Sequence, residues 1–251
     1  MIHTESRKYK GLGLYPLLFL MLCVHVPVLG TIAFEHSFRQ DIYPLFSLLD
    51  GYFLFQLIFN PVLLSSLVKK VVEIEEKNNM FQLQEMLGVE PSTLLMRKWS
   101  WLSLRLFILQ LVEWALILHM AARSDYFHLS QVASARVAVL FCSQWLIASA
   151  FVALFLILDT RSKSPYFTLF FSMGGALSGI LFMLTSRILT LINPFAWDSS
   201  LLSISFVKGT EGFTRVINPV PWPSLAVSIT GLLICLFMIK KHTRIRSDKT
   251  I

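Results

Sequence analysis

KKVVEIEEKNNMFQLQEMLGVEPSTLLMRKWSW, residues Lys69–Trp101, is the longest charged, water-compatible stretch in an otherwise apolar chain. Its pattern predicts a helix, a break at Gly88-Val89-Glu90, and a second helix opened by Pro91. Glycine suits the position just past a helix C-terminus, and proline suits a first helical turn. From Val71 to Leu87 the apolar positions Ile74, Met80, Phe81, Leu83 and Leu87 fall near helical spacing. One side can therefore rest on the membrane or on other helices. Glu73, Glu75, Glu76, Lys77, Gln82, Gln84 and Glu85 supply a charged, hydrogen-bonding side. Glu73 and Lys77 stand four apart in the favourable order, an interaction of about 0.2–0.5 kcal/mol. A mostly apolar chain can present ordered structure to a soluble partner here. The same residues also fit an ordinary solvated linker helix.

Outward from this stretch the chain is greasy. Hydrophobic residues make up 55% of its 251 positions and charged residues 15%, with a mean hydropathy of +0.65. Soluble domains run about 45–50% apolar and about 25% charged. A bilayer core of about 30 Å needs roughly 20 apolar residues per helix. Six stretches qualify, at about 12–34, 44–68, 101–121, 137–158, 167–185 and 223–239. Spans and connections use up the chain, so a separate soluble catalytic domain is not expected. The basic start, Arg7, Lys8 and Lys10, precedes an apolar run too long for a signal peptide, so it reads as an uncleaved first span behind an amphipathic lead-in at 1–11. Cys23, Cys142 and Cys235 sit inside apolar runs without metal-ligand spacing.

Orientation follows from the basic residues. Fifteen of the 22 Lys and Arg flank the spans on the side of the two termini and of 69–101. Six lie on the other side, and Arg105 is within span three. The positive-inside rule then puts both termini and the 69–101 segment in the cytoplasm. The same spread argues against nucleic acid, since no basic face carries interleaved aromatics.

The expected fold is an all-α integral membrane protein with six transmembrane helices and both termini cytoplasmic. It forms a single domain over 1–251, with a cytoplasmic coupling segment at 69–101 and an external, re-entrant segment at 187–222. That outer segment repeats I-N-P-x-x-W, at Ile192–Trp197 and Ile217–Trp222. Asn-Pro marks a turn and Trp prefers the membrane interface. Asn193, Pro194, Trp197, Asn218, Pro219 and Trp222 are thus candidates for an external gate or for simple interface anchoring. Within span three, Arg105 and Glu113 lie about 12 Å apart along the axis, too far to pair. Arg105 can snorkel to the nearer edge, whereas Glu113 calls for a buried partner. Asp50 is expected to be wet at the outer end of span two. Gly175 and Gly179 in span five allow close helix approach, within the chain or across a dimer. His25, His36, His119 and His128 have no metal-binding spacing, and no hydrolytic site stands out.

An acidic helix after span two, a Leu-Gly break and a basic-aromatic entry to span three resemble the ABC-2 family of ABC-transporter permeases. The residues that carry the likeness are Glu73-Ile74-Glu75-Glu76-Lys77, Gln84-Glu85-Met86-Leu87-Gly88-Val89 and Lys98-Trp99. The layout of six spans, with a long loop before the last, is also similar. The resemblance implies a permease subunit without its own ATPase. Glu73, Glu75, Glu76, Lys77, Gln84, Glu85 and Gly88 would dock on a separate nucleotide-binding chain. The sequence has no G-x-x-x-x-G-K-[ST], so ATP and Mg²⁺ would be held by that partner. The resemblance also implies a second permease chain, identical or related. It places a re-entrant helical hairpin at the outer segment. The size, basic tail, short loops and aromatic-Pro phrases near the last span are similar to the immunity permeases of lantibiotic-producing bacteria. Such permeases export an amphipathic peptide from the producer's membrane. The implied setting is a multi-pass protein of a bacterial cytoplasmic membrane, exporting a peptide or lipid-like cargo. A secondary transporter and a non-transporting membrane scaffold are the alternatives.

Overall fold

A computed structural model describes residues 13–34, 38, 41–77, 80–125, 134–162, 164, 166–209 and 212–241. The expected lead-in at 1–11 and most of the basic tail lie outside these residues. Among the described residues six helices are long and apolar enough to cross a membrane. They are α1 (Leu14–Ala33), α2 (Pro44–Lys77), α4 (Pro91–Ala121), α5 (Ser134–Arg161), α6 (Phe167–Thr185) and α8 (Trp222–Lys240). Two short helices, α3 (Met80–Met86) and α7 (Arg187–Ile192), and a 3-10 helix (Pro194–Leu201) complete the helical part. Backbone polar groups in hydrocarbon must be satisfied within their own segment, which is why apolar runs of this length become helices.

α5 is the central helix and the most enclosed span. Its Ser149, Ala150 and Ala153 are small and buried, so neighbouring helices approach closely. α2 and α4 pack beside it, while α1, α6 and α8 are the most exposed spans. Their exposed faces carry large apolar side chains such as Phe19, Phe170, Leu177, Leu181 and Leu233, as a lipid-facing surface requires.

In the charged stretch after span two the described residues up to Met86 are helical: α3 covers Met80–Met86, and before it α2 runs unbroken through Pro61 to Lys77. Its 34 residues extend about 51 Å, well beyond a bilayer core of about 30 Å. The helical fold departs from the all-α expectation in one place. β1 (Ile204–Gly209) and β2 (Gly212–Ile217) form an antiparallel hairpin, with Ile204 opposite Ile217 and Gly209 opposite Gly212. Val, Ile, Phe and Thr dominate these strands, and such residues favour a pleated backbone. The segment at 187–222, expected to hold a re-entrant helical hairpin, contains α7, the 3-10 helix and a β-hairpin. We call the end of the bundle that carries α3 the tip end, and the other the hairpin end.

The small residues of α6 receive the 3-10 helix. A Cβ added at Gly175 would collide with the Phe195 ring, and one at Gly179 with the Phe195 carbonyl. Gly231 of α8 makes room for Trp197 in the same way. The Gly175/Gly179 pair is thus used inside the chain. Gly174, one residue away, faces open space. Gly179→Leu is expected to destabilise the protein by about 1–3 kcal/mol through overpacking. Gly174→Leu should leave thermal unfolding in detergent nearly unchanged, and equal effects of the two would contradict this packing.

Candidate functional site

Local chemistry shapes the tip end. The last turns of α2 separate their acids. Glu73 pairs with Lys77 at 2.8 Å on the exposed side. Glu75 turns inward, where Lys98 of α4 meets it at 2.5 Å with both side chains buried. The Lys98 ammonium also lies 5.4 Å from the centre of the Phe81 ring of α3. One buried cation therefore ties α2, α3 and α4 together. This corrects the expectation that Glu75 belongs to the exposed charged side with Glu76 and Lys77.

α3 ends in a tight reversal. Gly88 has φ 79°, its N–H donates to the Glu85 carbonyl at 2.9 Å, and the Val89 N–H donates to the Gln84 carbonyl at 3.0 Å. These are the two bonds of a Schellman ending, and the positive φ favours glycine. Pro91 then opens α4 in its first turn. Of the apolar residues expected to rest on the membrane or on other helices, Phe81 is buried. Leu83, Met86 and Leu87 point outward, exposed by 51%, 86% and 74%. Beside them Gln82 and Glu85 are exposed and Gln84 half-buried. An apolar knob ringed by polar groups at the end of a projecting arm has the composition of a docking surface. The sequence reading places Leu83 and Leu87 on the side that rests on the membrane or on other helices and does not single out Met86.

A second polar group forms inside the bundle. Glu113 of α4 accepts from Tyr52 of α2 and faces His25 Nδ1 of α1 at 2.7 Å. Gln144 of α5 donates to the Tyr52 oxygen at 2.5 Å and to Gln56 Oε1 at 3.2 Å. Its own Oε1 accepts from Trp114 Nε1 at 2.7 Å and from Gln110 at 3.1 Å. Four spans meet in this layer. Glu113 has the buried partner the sequence calls for, supplied by His25 and Tyr52, which are 88 and 61 residues away in the chain. Arg105 is half-buried, with its guanidinium 5.3 Å from the Trp101 ring and 5.7 Å from the Tyr15 ring.

At the hairpin end Asp50 is not wet. Its carboxylate accepts from the Ser203 N–H at 2.6 Å and the Ile204 N–H at 2.8 Å, fastening the base of the hairpin to α2. Arg215 of β2 reaches Asp41 at 3.5 Å. Asn193 caps the 3-10 helix by accepting from the Phe195 N–H at 3.1 Å, and Pro194 fills its first turn. Trp197 donates to the Leu191 carbonyl at 2.9 Å. In the second I-N-P-x-x-W copy, Asn218 donates to the Leu202 carbonyl at 3.0 Å, whereas Pro219 and Trp222 are exposed. The two copies thus differ in role. The first is an internal corner and the second leads into α8. Within the 3-10 helix Asp198 is buried, its Oδ1 has no hydrogen-bond partner among the described residues, and burial pushes its carboxyl up to about 7.

Among the described residues no group of three or more His, Cys, Asp or Glu could hold a metal ion. The chain matches no family model, no curated protein and no solved structure.

Two predictions follow from the charges. Lys98→Met removes the buried cation that faces Glu75 and should cost about 3–5 kcal/mol of stability, whereas pairing it with Glu75→Leu should recover most of that loss. Thermal unfolding in detergent reads both. Asp198 keeps its proton in the folded protein up to about pH 7, against 3.8 for an ordinary aspartate. Its contribution to stability is full below the lower value and is lost as pH rises through the upper one. Asp198→Asn should flatten the decline of melting temperature across that window, and an unchanged decline would contradict it.

Proposed function

We propose that this chain is the transmembrane permease subunit of an ATP-driven exporter of the ABC-2 type. The observation that carries the reading is the tip. α2 projects beyond the bilayer core, reverses through α3 and Gly88, and returns as α4, with an exposed apolar knob at the end and a buried ion pair as brace. Such an arm suits the transfer of force from an outside motor. The absence of a P-loop in the sequence gives it a motor to meet, since nucleotide must be handled by another chain. The basic residues support an orientation with the tip in the cytoplasm. In this reading Glu73, Glu76, Lys77, Gln84, Glu85 and Gly88 surround a contact centred on Leu83, Met86 and Leu87, and Glu75 acts through Lys98. ATP and Mg²⁺ sit on the partner.

The cargo proposed is amphipathic, a lantibiotic-like peptide or a lipid-like molecule, taken from the membrane through a pathway between two permease chains. The apolar, aromatic character of the spans supports it. The segment from α7 to the hairpin is proposed to meet cargo on the outer side. A secondary transporter is the second reading, because ionisable groups from three spans meet in the bundle interior.

Purification of the permease from its native membrane should bring down an ATPase. Met86→Glu and Leu87→Glu each should weaken that association at least about tenfold, the loss expected when a hot-spot side chain is removed from an interface. An undiminished complex, or transport with no ATPase present, would remove the coupling role.

A further inference from the structure

α5 opens at the hairpin end with Ser134 and Ala135, both exposed, followed by Arg136. Arg136 is only 8% exposed, although it stands in the first turn. Side chains of a helix lean towards its N-terminus, so the guanidinium reaches the start of α5. It lies over the Phe46 ring of α2, 4.9 Å from the ring centre. Phe46 is the third residue of α2, as Arg136 is the third of α5. The contact therefore joins two helix starts at one level, about 3 Å in from their ends.

An arginine side chain is always charged, and its N–H groups can only donate. The Nε of Arg136 is buried and has no hydrogen-bond partner among the described residues. A charged donor left buried and unmet is strongly unfavourable. The Phe46 ring attracts the cation through its face but gives the N–H groups in the guanidinium plane no oxygen. Asp50, one turn along α2 from Phe46, acts on Arg136 electrostatically. Its oxygens are turned to the hairpin base, where they accept from the Ser203 and Ile204 N–H groups. Asp50 thus offsets charge without meeting the Nε–H. Ser47, three residues before Asp50 on α2, likewise has a buried hydroxyl without a partner among the described residues.

Charge at this place is positive on balance. The guanidinium contributes one unit and the start of α5 about half a unit, and Asp50 removes one. No acid stands in the first turn of α5. The start of α2 is already met by Asp41, which accepts from the Tyr43 N–H at 3.0 Å and pairs with Arg215 at 3.5 Å. Arg123, just past α4, is turned to the Phe34 ring instead, 4.6 Å from its centre. The surplus therefore belongs to Arg136 and the α5 start, and an oxyanion is the group that answers both the charge and the unmet donor.

Depth identifies the source of that oxyanion. The 28 residues of α5 extend about 42 Å. That exceeds a hydrocarbon core of about 30 Å and matches a whole bilayer of about 40–45 Å with its headgroups. The first turn of α5 stands at the level of lipid phosphates. We propose that Arg136 and the start of α5, backed by Phe46 of α2, bind the phosphodiester of a membrane phospholipid. Arg136 donates Nε–H and a terminal N–H to two phosphate oxygens side by side, the geometry in which a planar guanidinium takes an oxyanion. A phosphodiester carries a single negative charge, which suits a small positive surplus. Exposed Ser134 and Ala135 leave the approach from the bilayer surface open. Below them Ala138 and Cys142 are exposed on the same helix, and these small side chains leave a shallow channel for an acyl chain.

The test is native mass spectrometry of the purified protein in detergent with three probes added in turn. They are dioleoyl phosphatidylglycerol, dioleoylglycerol, which has the same chains without the phosphate, and inorganic phosphate. One phosphatidylglycerol should be retained, and neither of the other probes. Arg136→Gln should raise its dissociation constant at least about tenfold, as expected for losing a hydrogen bond to a charged group. Because Arg136→Gln could fail to fold, Arg136→Lys supplies a second variant. It keeps the charge over Phe46 but lacks the planar fork, and should weaken retention several-fold. Lys241→Gln removes an exposed cation at the tip end and should leave retention unchanged. Equal retention in the Arg136 variants, an equal loss in Lys241→Gln, or equal retention of dioleoylglycerol overturns the proposal. So does an original protein that holds no lipid, since water alone then meets Arg136. Displacement of the lipid by inorganic phosphate at equal concentration assigns the site to free phosphate and overturns the lipid source. No ATPase is present in these mixtures, so the exporter reading and the lipid site stand or fall separately.

Discussion

Hydrocarbon supplies no hydrogen-bond partner, so every polar side chain carried into a span must find one in the protein. The small hydroxyls do so at home. Ser65 and Ser66 donate to the Val62 carbonyl, Thr160 to Leu156 and Thr230 to Ala226. The larger polar groups reach across. Trp99 of α4 donates to the Ser149 carbonyl of α5 at 3.0 Å, and Trp145 of α5 donates to the Ser103 carbonyl of α4 at 3.1 Å. Between them Ser103 and Ser149 share a hydrogen bond of 2.5 Å. Sliding one helix past the other by a single turn, about 5.4 Å, would break all three bonds with no water to replace them. Register between α4 and α5 is therefore fixed by polar contacts, while apolar packing fills the space around them.

This constraint also explains what could be read from the chain. Length and hydropathy make the six spans visible, because a run of apolar residues in lipid has few alternatives to a helix. Gly88 and Pro91 announce the reversal at the tip, since positive φ and a missing N–H are local requirements. Glu113 announces a buried partner by its cost alone. The identity of that partner is another matter. His25 and Tyr52 look like ordinary members of apolar helices until packing brings α1, α2 and α4 to the same depth. Glu75 is hidden for the opposite reason. Within the sequence it is one of three acids in four residues, and only the position of Lys98 on the returning helix selects it for burial. The hairpin was legible in principle, through the alternation around Ile204–Gly209 and Gly212–Ile217. Its anchor is not legible there, because Asp50 lies more than 150 residues earlier.

The polar contacts also divide the molecule mechanically. α4 is clamped at three heights. Lys98 holds it to α2 and α3 near the tip, Trp99 and Ser103 hold it to α5 in the middle, and Glu113 holds it to α1, α2 and, through Tyr52, α5 towards the hairpin. From Lys98 to Glu113 these clamps span about 22 Å of one helix. A force on the tip cannot bend α4 away from its neighbours without breaking buried hydrogen bonds, so α2, α4 and α5 move as one body. α6 is tied in as well, by Ser172 to Ser65 of α2 at 2.8 Å and by Thr168, which donates to Asp159 of α5 at 3.0 Å, while the 3-10 helix rests its Phe195 ring against the α6 glycines. α1 docks mainly through apolar side chains. Its apolar stripe can slide, but His25 cannot leave Glu113 without exposing a buried carboxylate. Displacement of α4 at one end is thus carried to the other together with α2 and α5, and the His25–Glu113 contact ties α1 to them.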